Sequence, residues 1–360
     1  MSSSLLSFDI KSLKLPRWMT PRSPADLSGG GLMVSYPPVA MDIGATQLAL
    51  ARLTRDKEKK WNLTSYDTID VAPEILDSEA FKARVRAPDR LRAMVSGSLQ
   101  REGIKTRAIS VVLPDHLARV ALLPFEDLPR TRREVLDLVR WKMKKAVPFK
   151  VEEATVDYQV MPGMEADGGA APGYTLLAVL IPSASVEEHE SIFTKQGIHA
   201  GLIDLSSFSL ASLYRSVAER EVPAGDFMML NATSVFFTAM IFRDGRLIFY
   251  RCKATGAPSE GNGEAASRML RREVQASLMY YQERLRGTSL ARVYMRLVGH
   301  EADGITGAFE QAPLAAPPEL IDPGKVVKVG GRITALGPER AADLLQRLAP
   351  AVGAALGRSA

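Results

Sequence analysis

Asp42, Gly44, Ala45, Thr46 and Gln47 make up a short segment with the chemistry of a phosphate-binding turn. Such a turn must bring backbone N–H groups against phosphate oxygens, and only glycine permits that approach without a Cβ clash. An acid beside it holds Mg2+ directly or through a coordinated water. Gly44 meets the first need and Asp42 the second, while Ala45, Thr46 and Gln47 offer N–H or side-chain contacts. Asp42-Ile43-Gly44 also suits an ordinary turn that closes a surface hairpin, so its chemistry depends on what faces it. Asp204 opens the segment DLSSFSLA, where an acid either caps a helix or orients water or a metal; the cap is the simpler reading.

Other reactive side chains form no constellation. His116, His189, His199 and His300 fall on separate segments without ligand spacing. Cys252 is the single cysteine, has no His or Cys close to it in sequence, and reads as a packed thiol rather than a nucleophile. Walker, nucleophile-elbow and paired-carboxylate patterns are missing from the sequence. One charged run stands out. Eight basic residues lie between Arg130 and Lys150 and only Glu134 and Asp137 oppose them, around an apolar stripe of Val135, Leu138, Val139, Met143 and Ala146. This is either a solvated helix face or a surface attracted to anionic lipid or an acidic tail.

The elements that must position these residues follow from periodicity. VAMDIGATQLALARL from Val39 reads as strand, tight glycine turn, strand, and LTSYDTIDV as a third strand. Residues 88–103 read as a helix: Pro88 opens it, Leu91, Val95 and Leu99 form one stripe, and Gly103 closes it. Residues 108–114 form a buried strand. The same order returns later: paired strands over 227–251 around the turn Arg243-Asp244-Gly245-Arg246, a helix over 264–287, and a strand over 291–299. Between the two units, residues 117–200 predict strand 118–123, helix 131–147, strand 154–161, a Gly/Ala-rich loop, strand 174–181 and helix 185–196. That last helix carries a capping-box pattern, Ser185 with Glu188. Pro148 is expected to stop the helix before it and Phe149 to sit at the corner.

The repeated hairpin–helix–strand unit suits an α/β fold of two facing halves around a cleft, the architecture of the actin, sugar-kinase and Hsp70 superfamily, with an inserted α+β subdomain, although many other α/β proteins also alternate strands and helices. The expected division is a disordered lead-in over 1–38, a first half over 39–222 with the insertion near 117–200, and a second half over 223–357. In the lead-in, the apolar residues from Leu5 to Trp18 interleave with Lys11, Lys14 and Arg17, so this stretch is an untethered tail or a short interfacial helix. A length of 360 residues suits about two domains, and 46% apolar with 24% charged residues is ordinary for a globular chain. The net charge of +5 is mild and does not require a nucleic-acid partner. The N-terminus lacks a secretory signal, no run approaches the ~20 apolar residues of a membrane span, and a single cysteine fits a reducing compartment.

Several segments resemble the PilM family of type IV pilus assembly proteins. MDIGATQLALARL is similar to that family's first phosphate-loop strand. WKMKKAVPFKVEEATVDYQVM is similar to its most distinctive run, in which a Pro-Phe step and two acids precede Asp157-Tyr158-Gln159. The segments from Tyr174 to Tyr214, IFRDGRLIFYR, REVQASLMYYQERLRG and LAPAVGAALG extend the resemblance over about residues 39–357. It implies an actin-like (ribonuclease H-like) fold with ATP and Mg2+ held between two hairpin turns, Asp42 being the metal-side acid. In the second turn the family places Asp-Ile-Gly. Counting back from Arg243-Asp244-Gly245 puts Asn231-Ala232-Thr233 there, with a neutral amide for the acid and a branched side chain for the glycine. The adenosine-side Gly-Gly pair is reduced to Gly299, and Ala49 replaces a common lysine. These changes imply degenerate nucleotide binding, or a cleft with no cofactor, and argue against catalysis.

The resemblance further implies a cytoplasmic scaffold, peripheral at the inner membrane, that docks the N-terminal tail of a PilN-like membrane protein. It would contact other inner-membrane and motor components of the pilus machine and form homo-oligomers in some states. Pro148 and Phe149 are the partner-binding candidates. Three alternatives stay open: a phosphotransferase of the sugar-kinase branch, a GspL-like component of type II secretion, and an FtsA-like filament former.

Overall fold

A computed structural model describes residues 36–81, 84–162, 173–255, 263–310 and 312–357. Most of the lead-in, with its interfacial-helix stretch, and most of the Gly/Ala-rich loop lie outside the described residues.

The first half begins with an antiparallel meander of β1 (Val39–Ile43), β2 (Gln47–Arg55) and β3 (Trp61–Asp70). Helix α1 (Pro88–Arg101) crosses over to β4 (Ala108–Leu113), which lies parallel to β1. The chain then leaves this sheet. β5 (Arg119–Phe125), α2 (Arg132–Met143), β6 (Ala154–Pro162) and β7 (Tyr174–Pro182) form a separate antiparallel sheet in the order β5-β7-β6, with α2 packed on it over its own apolar core. Helix α3 (Ser183–Thr194) returns the chain to β8 (His199–Leu205), parallel to β4, and α4 (Ser206–Glu221) leads out.

The second half repeats the plan. β9 (Asp226–Thr233), β10 (Phe236–Arg243) and β11 (Arg246–Ala254) form a meander, α5 (Gly263–Glu283) crosses, and β12 (Leu290–Val298) lies parallel to β9. Short α6 (Asp303–Thr306) precedes β13 (Glu319–Leu320), parallel to β12. The two strand orders, β3-β2-β1-β4-β8 and β11-β10-β9-β12-β13, are the same strand for strand. So are the hairpin registers: Asp42 lies opposite Ala49, and Asn231 opposite Thr238. β1 is buried at all five positions and β9 at seven of eight, as strands covered on both faces must be. Asp244 and Gly245 both have positive φ, 49° and 73°, as a two-residue hairpin turn requires.

The chain ends on the first sheet. β14 (Lys328–Val329) adds to its edge beside β3, α7 (Gly331–Thr334) follows, and α8 (Pro338–Leu356) packs along α4 and against β1, β2 and β4 while touching β12. α4 and α8 approach so closely that a Cβ on Gly353 would lie 2.0 Å from the Ser209 carbonyl oxygen.

Three local expectations are corrected. Ser185 lies inside α3 and caps nothing; the Glu188 carboxylate accepts the Val85 N–H at 2.9 Å instead, tying α3 to the loop before α1. The capping box in this region belongs to α2, where Thr131 and Glu134 bond reciprocally. Finally, α2 ends at Met143, five residues before Pro148, so turns at 144–149 rather than proline stop it, and Ala146 is exposed.

Candidate functional site

The two equivalent hairpin turns face one pocket. Asp42, Gly44, Ala45, Thr46 and Gln47 line it from the first half, and Thr233, Val235 and Phe236 from the second. Pro114, Ser206, Arg296 and Val298 complete a pocket of about 350 Å³, open solvent included. The sequence-derived turn residues are thus brought together, Asn231 directly behind them.

The turns differ in what their N–H groups do. Those of Gly44, Ala45 and Thr46 make no hydrogen bond among the described residues and remain free for an anion. In the second turn the Thr233 hydroxyl accepts the N–H groups of Val235 at 3.3 Å and Phe236 at 3.2 Å. Threonine therefore does more than crowd the turn: it takes two of the N–H groups that could otherwise face a phosphate. A His300 ring nitrogen lies 3.0 Å from the Thr233 carbonyl oxygen, and Gly299, at φ 77°, packs near Ser234 outside the pocket lining. The Gln47 amide is spent on α8: it accepts from Arg347 Nε at 2.8 Å and donates to the Arg347 carbonyl at 3.4 Å.

Behind the pocket lies a buried polar cluster centred on a cation. Arg296, 2% exposed, donates from Nε to the Gln346 carbonyl at 2.8 Å and from Nη1 to Asn231 Oδ1 at 2.9 Å. Its Nη2 stands 3.8 Å from Asp42 Oδ2. The Asn231 amide donates to Ser206 and Ser207 hydroxyls at 3.0 and 3.1 Å and toward Asp115 at 3.3 Å. Asp115 also accepts the Ser207 N–H at 3.1 Å, the Ser207 hydroxyl, and the Thr238 hydroxyl at 2.8 Å. Asp204 lies one residue before the α4 cap position, Leu205. Its oxygens accept the Leu205 N–H at 2.8 Å and the Ser209 hydroxyl at 2.7 Å, so the helix-cap expectation gives way to a buried, locally bonded acid.

Burial dominates the electrostatics. It pushes the Asp42 carboxyl up to about 7 against the pull of Arg296, with Asp115 adding to the rise. It pushes Asp204 to about 7 against its two hydrogen bonds, raises Asp115, and lowers Arg296 against the attraction of Asp42 and Asp115. Burial also raises the Cys252 thiol far above the range in which a thiolate forms, which leaves it chemically quiet. No group of three His, Cys, Asp or Glu side chains among the described residues is placed to hold a metal. The donor set accordingly fits a phosphate at the first turn only, beside an acid already faced by an internal guanidinium.

Arg296, Asp115 and Gln346 are the residues of the buried cluster that the sequence reading missed. Arg296 had a signal, because it interrupts the otherwise apolar run from Val293 to Leu297 of a central strand. Asp115 had a weaker one, since it follows the carboxyl end of a parallel strand, where ligands of open α/β sheets gather. Pro148 and Phe149 lie apart from the cleft, on the three-stranded subdomain. Pro148 is exposed, and Phe149 is half-buried with its ring 5.7 Å from that of Phe81 and tilted by 51°.

The family model described as type IV pilus assembly protein PilM matches residues 40–263, more than half of the chain. A solved PilM-PilN type IV pilus biogenesis complex contains a chain with the same fold at 15% identity, TM-score 0.68, covering 91% of this chain and 98% of that one. A Bacteroides thetaiotaomicron protein with an actin-like ATPase fold is similar at 8% identity, TM-score 0.46, over 85% of this chain and 98% of that one. The cytoplasmic domain of EpsL, an inner-membrane component of the Vibrio cholerae type II secretion system, is similar at 10% identity, TM-score 0.42, over 86% and 93%. No curated protein matches the chain in sequence. With a duplicated actin-like fold and a family match over most of its folded length, the chain belongs to the PilM family of type IV pilus assembly proteins.

Proposed function

We propose that this chain is a scaffold of the pilus assembly machinery that holds the cytoplasmic N-terminal tail of a PilN-like membrane protein, and that its cleft binds nucleotide weakly and without turnover. The observation that carries the reading is the internal cation. Arg296 of the second sheet faces Asp42 of the first and bonds Asn231 and α8, so side chains tie the halves where an enzyme of this fold needs room for metal and phosphate. The second turn adds to this, since the Thr233 hydroxyl takes its Val235 and Phe236 N–H groups, whereas those of Gly44, Ala45 and Thr46 have no acceptor among the described residues. Any ATP that binds is held by that turn, with Asp42 as the acid available to orient a Mg2+-bound water. The PilM-PilN complex among the solved relatives supports a PilN-type partner.

The docking surface is placed at the corner that Pro148 and Phe149 form on the inserted subdomain. Phe149 meets Phe81 of the first half there, and an extended tail needs such a preformed apolar corner to offset its own ordering entropy. The test is calorimetric titration of the folded chain with a cognate tail peptide and, separately, with Mg-ATP. Tail binding in the micromolar range, weakened by Phe149→Ala, and weak ATP binding without hydrolysis are expected. A wild-type chain that ignores the tail, or one that hydrolyses ATP in a way abolished by Asp42→Ala, would sink the reading.

A further inference from the structure

The C-terminal turn of α2 carries an aromatic and basic surface that the cleft and the tail-docking corner do not use. α2 buries Val135, Val139 and Met143 against the three-stranded sheet. At about 100° per residue, Trp141 projects from nearly the opposite side of the helix. It is 73% exposed, more than any other large apolar side chain among the described residues. Four basic residues lie within four positions of it: Arg140, Lys142, Lys144 and Lys145.

The neighbouring sheet end extends the patch. Lys142 Nζ donates to the Pro124 carbonyl at 2.7 Å and sits 4.1 Å over the Phe125 ring. Phe125 in turn pairs across the strands with Tyr174, which is 37% exposed. Neutralisation is slight. The Arg140–Asp137 and Lys144–Glu152 pairs at 3.1 and 3.6 Å are exposed and exchange readily with other anions. Lys142 and Lys145 have no carboxylate within ion-pair distance among the described residues.

We propose that this surface docks onto an anionic lipid bilayer, Trp141 entering the headgroup boundary while Arg140, Lys144 and Lys145 face the phosphates. A tryptophan ring is amphipathic and settles where one end is apolar and the other wet, and flexible amines around it reach headgroups without a fixed geometry. A protein partner would have to offer a pocket for the ring together with carboxylates registered to each amine, whereas a bilayer surface meets both demands without registry. The contact is a surface one, for no helix among the described residues is long and apolar enough to cross a membrane.

The test is co-flotation of the full chain with phosphatidylcholine vesicles that contain or lack phosphatidylglycerol, at low salt. The wild-type chain floats with phosphatidylglycerol vesicles only. Trp141→Ser and the double variant Lys144→Glu/Lys145→Glu each lower the partition by about tenfold or more while keeping the wild-type circular dichroism spectrum. No flotation of the wild type, or undiminished flotation of both variants, overturns the proposal; the second outcome would put any lipid contact elsewhere in the chain. Both variants retain wild-type affinity for the tail peptide. Loss of tail binding along with flotation would make the patch a protein site and overturn the lipid assignment, while a chain that floats but ignores the tail leaves this proposal standing and removes the other.

Discussion

Asp204 has no countercharge among the described residues: the Leu205 N–H and the Ser209 hydroxyl donate to it, and Asp115 is a like charge nearby. A carboxyl near 4 in the unfolded chain and about 7 in the fold makes the native state the tighter proton binder between those values. Stability contributed by this group is therefore present below about pH 4 and is lost as the pH rises toward 7. Asp42 acts in the same sense. His116, buried and pushed down to about 4, acts in the opposite one, because the unfolded chain takes up its proton first as the pH falls. The wild-type profile mixes these trends, so the informative quantity is a difference. Asp204→Asn keeps an acceptor for Leu205 N–H and gains a donor toward Ser209. Relative to wild type, it is expected to be more stable at pH 8 than at pH 5, by a margin on the order of a few kcal/mol at most. Urea denaturation at the two pH values measures it, and a pH-independent difference would remove Asp204 from the titrating set.

The hairpin turns show how one residue sets what an element can do. Both hairpins have the same register, yet Gly44 leaves three N–H groups free while the Thr233 hydroxyl takes two. Thr233→Gly removes that acceptor without requiring a new backbone conformation. It is expected to raise the affinity for Mg-ATP or pyrophosphate by about tenfold or more, on the ~1.5–3 kcal/mol of a hydrogen bond to a charged group. Calorimetry against both ligands reads this directly, and an unchanged affinity would mean that Arg296 rather than the turn limits binding. Sequence periodicity made these elements legible, because alternating and continuous apolar runs mark strands whatever lies across from them. It placed helix ends less well. The Ser185–Glu188 pattern satisfied the spacing of a capping box, but Glu188 had a partner in Val85, 103 residues away, which local spacing does not reveal. Asp204 misled for the same reason: an acid before a helix resembles a cap until its burial is known.

At the scale of the molecule, the duplicated plan was readable because the unit recurs in order, and the degraded second turn because a shared landmark at Arg243-Asp244-Gly245 allowed counting back to Asn231. The guanidinium that joins the halves was not readable. Arg296, Asp42, Asn231 and Gln346 come from four segments up to 304 residues apart, since 346 − 42 = 304, and only the folded chain puts them together. That arrangement predicts a specific failure. Arg296→Met fills similar space but leaves Asp42 facing no cation and Asn231 Oδ1 without a donor. Removing one partner of a buried pair typically costs about 3–5 kcal/mol. The cost is greatest at pH 8, where Asp42 must stay charged without its cation or take up a proton against the solution pH, and smaller at pH 5, where a carboxyl near 7 is already protonated. The α2-facing side of the three-stranded sheet packs on a separate core, with Leu176, Ala178 and Leu180 fully buried, while Leu177, Val179 and Ile181 on its other face join the core of the first half. Amide hydrogen exchange of the variant is therefore expected to quicken most in β1, β9, β12 and α8, which hold or flank the link, and least in α2, which packs on the separate core. Uniform acceleration along the chain, or a loss of stability equal at both pH values, would show that Arg296 is an ordinary packed side chain and not the tie between the halves.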